Sequence, residues 1–165
     1  MFVESRPFSD ILKRLLVIET KDCIDNLDSQ VYKNKIDSLS LKDLIDKEYI
    51  RLSPIIKLPE HEEVKSYILI SIDNFSPNFS NPEFRDCFVT FDILCNTDYW
   101  NLTNYQLRPL KICGYIDGIL NNAKLSGIGE LQFKGCSKIV LDEKLSGYSL
   151  MYEAVHGSDD YIEDA

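Results

Sequence analysis

The segment from Arg85 to Asn96 constrains this chain more than any other. It alternates without a break, setting Cys87, Val89, Phe91, Ile93 and Cys95 against Phe88, Thr90, Asp92 and Leu94. Successive side chains of a strand point to opposite faces, so this spacing fits a half-buried strand and no helix. A strand with one apolar face needs neighbours in a sheet and a layer to cover it, and the rest of the chain must supply both.

Neighbours are available on either side. An apolar run of Ile50, Leu52, Ile55, Ile56 and Leu58, closed by Pro59, predicts one strand, and Tyr67 to Ile72 predicts another. Ser76 to Pro82 holds two prolines, which cannot donate ladder hydrogen bonds, and reads as an exposed turn. Three further strands are expected at Gly129 to Lys134, Gly135 to Asp142 and Gly147 to Val155, with glycines and the stretch Lys144 to Gly147 as turns.

For the cover, a helix is expected from Arg108 to Lys124, its stripe formed by Leu110, Cys113, Ile116, Ile119, Leu120 and Ala123. Pro109 suits its first turn and Gly127 follows its end. A first amphipathic helix is read over Pro7 to Glu19, with Phe8, Ile11, Leu12, Leu15, Leu16 and Ile18 in phase and Ser9 or Asp10 as its cap. Thr20 to Lys47 is rich in Asp, Lys, Asn and Ser and reads as a surface excursion or arm, with one short capped helical turn at Ser40 to Asp46.

The expected fold is therefore α+β: a mostly antiparallel sheet packed against one long helix, with an N-terminal helix and an extended excursion. A chain of 165 residues, 44% hydrophobic, is enough for one domain with a real core, placed at residues 1–157. Residues 158–165 form an acidic tail with too little apolar content to order by itself.

Charge narrows the function. With 18 Lys and Arg against 27 Asp and Glu, the net charge of -9 argues against tight nucleic-acid binding, which needs a phosphate-neutralising surface. An acidic wall can still face DNA that slides past, because like charge keeps the polyanion from sticking. No stretch approaches the ~20 apolar residues that span a bilayer, and the N-terminus carries acids before any signal core forms. Synthesis in the cytoplasm and no membrane partner are expected.

Chemistry is sparse. His61 and His156 are the only histidines, and neither accompanies a nucleophile motif such as GxSxG. In Glu60-His61-Glu62-Glu63 the HExxH spacing is absent, so a solvated charged turn is favoured over a metal site. Asp86, Asp92 and Asp98 read as an outward row more readily than as a catalytic cluster. Gly127, Gly129 and Gly135 lack the Lys-Ser/Thr of a phosphate loop. Cys23, Cys87, Cys95, Cys113 and Cys136 are an odd set without a CxxC pair, so reduced, packed thiols are expected. No enzymatic activity, metal or cofactor is expected from these residues.

The densest aromatic cluster is Tyr99, Trp100 and Tyr105. Trp100 either caps the core before the following helix or anchors an interface, where Trp and Tyr bury much area at little entropic cost. Together with Asp159, Asp160, Tyr161 and Ile162 of the tail, these aromatics are the candidate interface residues.

Certain segments carry a resemblance: Tyr67-Ile-Leu-Ile70, Phe88 to Ile93, the helix Leu110 to Leu120, and the closing Gly129 to Gly135 and Leu150 to Gly157. Over roughly Ile50 to Gly157 their order resembles the small α+β neck proteins of tailed bacteriophages, the tail-terminator, tail-completion and head-tail-joining group. The resemblance implies a virion protein without an active site. It would be a subunit of a homo-oligomeric ring, touching portal, neck or tail proteins and passing DNA as cargo. Two rivals remain: an acidic protein-binding or inhibitor protein of the cytoplasm, and a metal-dependent hydrolase using His61 and His156.

Overall fold

A computed structural model describes residues 10–17, 30–52, 65–79, 85–102, 105–125 and 129–155. Among them are four helices, α1 (Asp10–Leu16), α2 (Gln30–Asp37), α3 (Leu41–Asp46) and α4 (Arg108–Leu120). The strands are β1 (Ile50–Arg51), β2 (Tyr67–Pro77), β3 (Arg85–Asn96), β4 (Lys124–Leu125), β5 (Gly129–Val140) and β6 (Leu145–Val155). They form one sheet in the order β1-β2-β3-β6-β5-β4.

The expected α+β arrangement is corrected by this structure. The fold is mostly β, its sheet is mixed because β1 runs parallel to β2, and among the described residues no single long helix backs it. The helix after Arg108 was expected to reach Lys124, but it ends at Leu120. Asn121 leaves helical geometry with ψ at 126°, and Asn122 turns left-handed with φ at 59°. Asparagine tolerates that conformation better than most residues, so the Asn pair stops the helix and feeds the chain into β4. The buried stripe also differs from the expected one. Pro109, Ile112, Cys113, Ile116 and Leu120 are buried, whereas Leu110 is exposed.

The alternation in β3 is realised. Cys87, Val89, Phe91, Ile93 and Cys95 all face the main core, where they meet Leu150, Tyr152 and Ala154 of β6, Leu131 of β5 and the apolar side of α4. Phe91 packs edge-on against Tyr152 with ring centroids 5.9 Å apart. Leu94, on the other face, is also buried, because Tyr67, Leu69, Leu94 and Leu145 form a second small cluster there with Ile139 against it.

Of the stretch read as a surface excursion, residues 30–47 instead carry two helices that bury Ile36 and Leu44 in the main core. The turn foreseen at Ser40 is present as a full capping box, with the Ser40 Oγ accepting from the Asp43 N–H at 3.2 Å and Asp43 accepting from the Ser40 N–H at 2.7 Å. That hydrogen bonding holds the Asp43 carboxyl below its ordinary range. Arg14 of α1 grips the Asp37 carboxylate at the end of α2 with two nitrogens, and Lys13 donates to the Asp37 carbonyl at 3.0 Å. The Arg14 guanidinium pulls the Asp37 pKa down.

Other strand boundaries shift as well. The two strands expected at Gly129 and Gly135 are one, β5, broken by a bulge between Phe133 and Gly135. The turn expected at Lys144 lies earlier, where the Asp142 carboxylate accepts from the Lys144 and Leu145 N–H groups, both at 2.7 Å. The loop expected to start at Ser76 starts later, since β2 continues to Pro77 through a bulge whose Asn74 has φ at 53°. Beyond Leu52, the apolar run toward Pro59 lies outside the described residues, as do His61, His156, Cys23 and Gly127.

Candidate interaction surface

The aromatic cluster sits on the loop between β3 and α4, and local chemistry fixes that loop. The Asn96 Oδ1 accepts from the Asp98 N–H at 3.0 Å, capping a 3-10 turn over Thr97–Tyr99. Thr97 ties this turn to the β5–β6 connection, its Oγ1 donating to the Glu143 carbonyl at 2.9 Å. A narrow ladder closes the far side, with the Leu102 N–H donating to Gln106 and the Arg108 N–H to Trp100, at 2.8 and 2.7 Å.

The structure separates the three aromatics by environment. Trp100 is half-buried against the main core, donates from Nε1 to the Cys95 carbonyl at 3.2 Å, and lies 6.2 Å from the Tyr148 ring. Tyr99 is half-buried and offers its carbonyl to the Nε of Arg108 at 2.9 Å. Tyr105 is fully exposed at the loop tip, with φ at 57°. A left-handed backbone costs an aromatic residue about 1 kcal/mol or more, so the ladder beneath must hold it there. Asp159, Asp160, Tyr161 and Ile162 lie outside the described residues.

Arg108 is the main polar contributor to the interior. Its side chain is buried, and besides Tyr99 it donates from Nη1 to the Leu15 carbonyl at 2.9 Å, joining the loop to α1. No motif announces it, because a single Arg before a proline carries no pattern.

The acids do not converge. Asp86 accepts from the buried Asn78 Nδ2 with both carboxylate oxygens, at 3.0 and 3.1 Å, while Asp92 accepts from the Ser149 hydroxyl at 2.6 Å and Asp98 is exposed in the 3-10 turn. Six positions along a strand separate the first two by about 20 Å, too far for shared acid–base work. Among the described residues, no group of three or more His, Cys, Asp or Glu side chains could hold a metal ion.

Four thiols are described, all free: Cys87, Cys95 and Cys113 are buried and Cys136 is exposed. Burial pushes the Cys95 thiol up to about 11 and the Cys113 thiol up to about 12, so both stay protonated at neutral pH and are poor nucleophiles. Tyr152 is likewise shifted upward, first by burial and then by its hydroxyl donating to Asp117 Oδ1 at 2.8 Å. The Tyr152–Asp117 hydrogen bond ties α4 to β6.

What the surface does offer is apolar contact. Along β2 the side chains are buried at Tyr67, Ile68 and Leu69, then emerge, leaving Ile72, Phe75 and, just past the strand, Phe79 exposed. Phe79 keeps none of its surface from solvent. Phe133, Val140, Leu141 and Met151 are exposed on and beside β5. Sequence reasoning missed these residues because phenylalanines set among Asp, Asn, Ser and Pro read as loop. The available signal was the loss of alternation after Ile72.

No described helix is long and apolar enough to cross a membrane. A family model, YomW, matches residues 9–154 of the chain. The family name suggests a phage-derived protein, which is the coarser part of the resemblance read from the sequence. No curated protein matches the chain.

Proposed function

The chain belongs to the YomW family, and from that premise we propose that it is a structural protein of a tailed-phage particle, a ring-forming subunit of the neck that joins portal to tail and lets DNA pass. The observation that carries this reading is the outer half of β2 and the residues just past it, where Ile72, Phe75 and Phe79 stand exposed. Apolar side chains gathered on a surface favour contact with other protein over contact with water. A net charge of -9 suits a wall that DNA slides past without binding.

On this reading the protein is made in the host cytoplasm, resides in the virion neck or tail, and meets portal, neck or tail proteins and its own copies. Mass spectrometry of purified particles, with electron microscopy of the full chain mixed with portal and tail proteins, tests it. The expected result is the chain in stoichiometric amount in particles and a ring at the junction. Absence from purified particles overturns the proposal. So does turnover of a small molecule that a single side-chain change in a cleft abolishes.

A further inference from the structure

We propose that successive copies of this chain join head to tail by continuing one sheet, the free edge of β5 in one copy pairing with the free edge of β2 in the next. The inference rests on the assembly reading above and names its partner and contact. Among the described residues, β1 covers β2 only at Ile68 and Leu69, and β4 covers β5 only at Gly129 and Glu130. The Leu131 N–H and C=O are taken by Ala123 and Asn122 and the Phe133 N–H by the Asn121 Oδ1, so among the described residues the open edges are Ile70 to Pro77 and Lys134 to Val140, whose outward N–H and C=O groups form a template for another strand.

Strand direction selects the pairing. β2 and β6 run one way and β3 and β5 the other, so a copy repeated head to tail sets β5 antiparallel to the next β2 and continues the alternation. The short capping strands sit at opposite ends, β1 beside the start of β2 and β4 beside the start of β5. The open stretches must then meet with a stagger, and staggered closure of a sheet is what bends it into a cylinder. A head-to-tail contact of this kind closes into a ring or runs on as a filament.

Charge argues for the same partner. From Ile70 to Pro77 the only charged residue is Asp73, and from Lys134 to Val140 the only ones are Lys134 and Lys138. Joining like edges would set lysines against lysines or Asp73 against itself, while joining unlike edges opposes acid to base. Exposed Ile72 and Phe75 then meet exposed Val140, which removes apolar surface from water on both sides.

Edge lysines and bulges are also how proteins keep sheet edges from pairing. A charge swap read by sedimentation velocity on the full chain decides between these roles. The wild type is expected to self-associate with rising concentration. Asp73→Lys alone, and Lys134→Glu with Lys138→Glu, should each weaken association by about tenfold or more, and the three changes together should restore it. Lys138→Glu alone leaves the Lys134–Glu153 ion pair (2.5 Å) in place and keeps the test valid if the triple variant fails to fold. A wild type that stays monomeric at every concentration overturns edge pairing, and so do swap variants that associate as the wild type does. If those variants still enter phage particles, the virion role stands while edge pairing falls. If edge pairing holds but the chain is absent from particles, the virion role is what fails.

Discussion

Two parts of one sheet, the β3–β6 ladder and the outer arm of β2, are built from similar strand sequence and end in opposite environments. In the ladder, Val89, Ile93, Tyr152 and Ala154 keep 0% of their surface exposed. In the arm, Ile72 keeps 41% and Phe75 64%. Intrinsic strand preference does not separate them, since Ile and Phe favour strands in both places. The difference is the cover. α4 lies against β3 and β6, whereas β2 emerges from the core beyond Ile70. Burial in this fold follows the helices on one face and the small cluster of Tyr67, Leu69, Leu94 and Leu145 on the other, and the outer half of β2 lies beyond both.

The sharpest way to break the ladder is Gly147→Ala. Gly147 pairs with Leu94 across β3 and with Ile139 across β5, and an added Cβ would fall 1.7 Å from the Ile93 carbonyl oxygen. Both sides of that clash are main chain held in a ladder, so neither can swing away as a flexible side chain would. The expected outcome is loss of the folded state, or destabilisation beyond about 4–5 kcal/mol, seen by circular dichroism and thermal melting. A variant that melts near the wild type would mean that β6 does not approach β3 this closely.

Next in size is Phe91→Ala. The ring is 4% exposed and wedged against Tyr152, so its removal leaves a cavity that rigid neighbours fill poorly, at a cost of about 3–5 kcal/mol in urea unfolding. A loss within about 0.5 kcal/mol would place Phe91 on the surface and erase the contrast with the arm.

Phe91 was legible because a full-length strand repeated one period, and the pleat converts that period directly into a buried face. Other features carried no period to read. The parallel pairing of β1 is two residues long, and such a contact is decided by where α3 ends, not by local pattern. There, Glu48 at φ 62° turns the chain so that the Tyr49 N–H returns to the Leu44 carbonyl at 2.9 Å. Ile36 and Leu44 were hidden because each is, among the side chains described, the one buried residue of a short helix, too little to set a period. In the candidate surface, Trp100 and Tyr105 were visible as aromatics. Their separation into core and tip depends on a ladder that closes over the loop, which no spacing encodes.

The smallest effect belongs to the arm, and it is the one that tests whether the arm is free. Phe79→Ser removes a ring that is wholly exposed, so the folded state loses no buried apolar area and the unfolded state loses about as much exposed surface. Stability should change by less than about 0.5 kcal/mol, with the urea midpoint and slope both held. Assembly with other subunits should weaken in the same variant, because in that setting the ring has something to bury against. A drop of more than about 1 kcal/mol in the isolated chain would mean that Phe79 packs within its own fold. The arm would then be core like the ladder, and the surface proposed for partners would shrink to the two sheet edges.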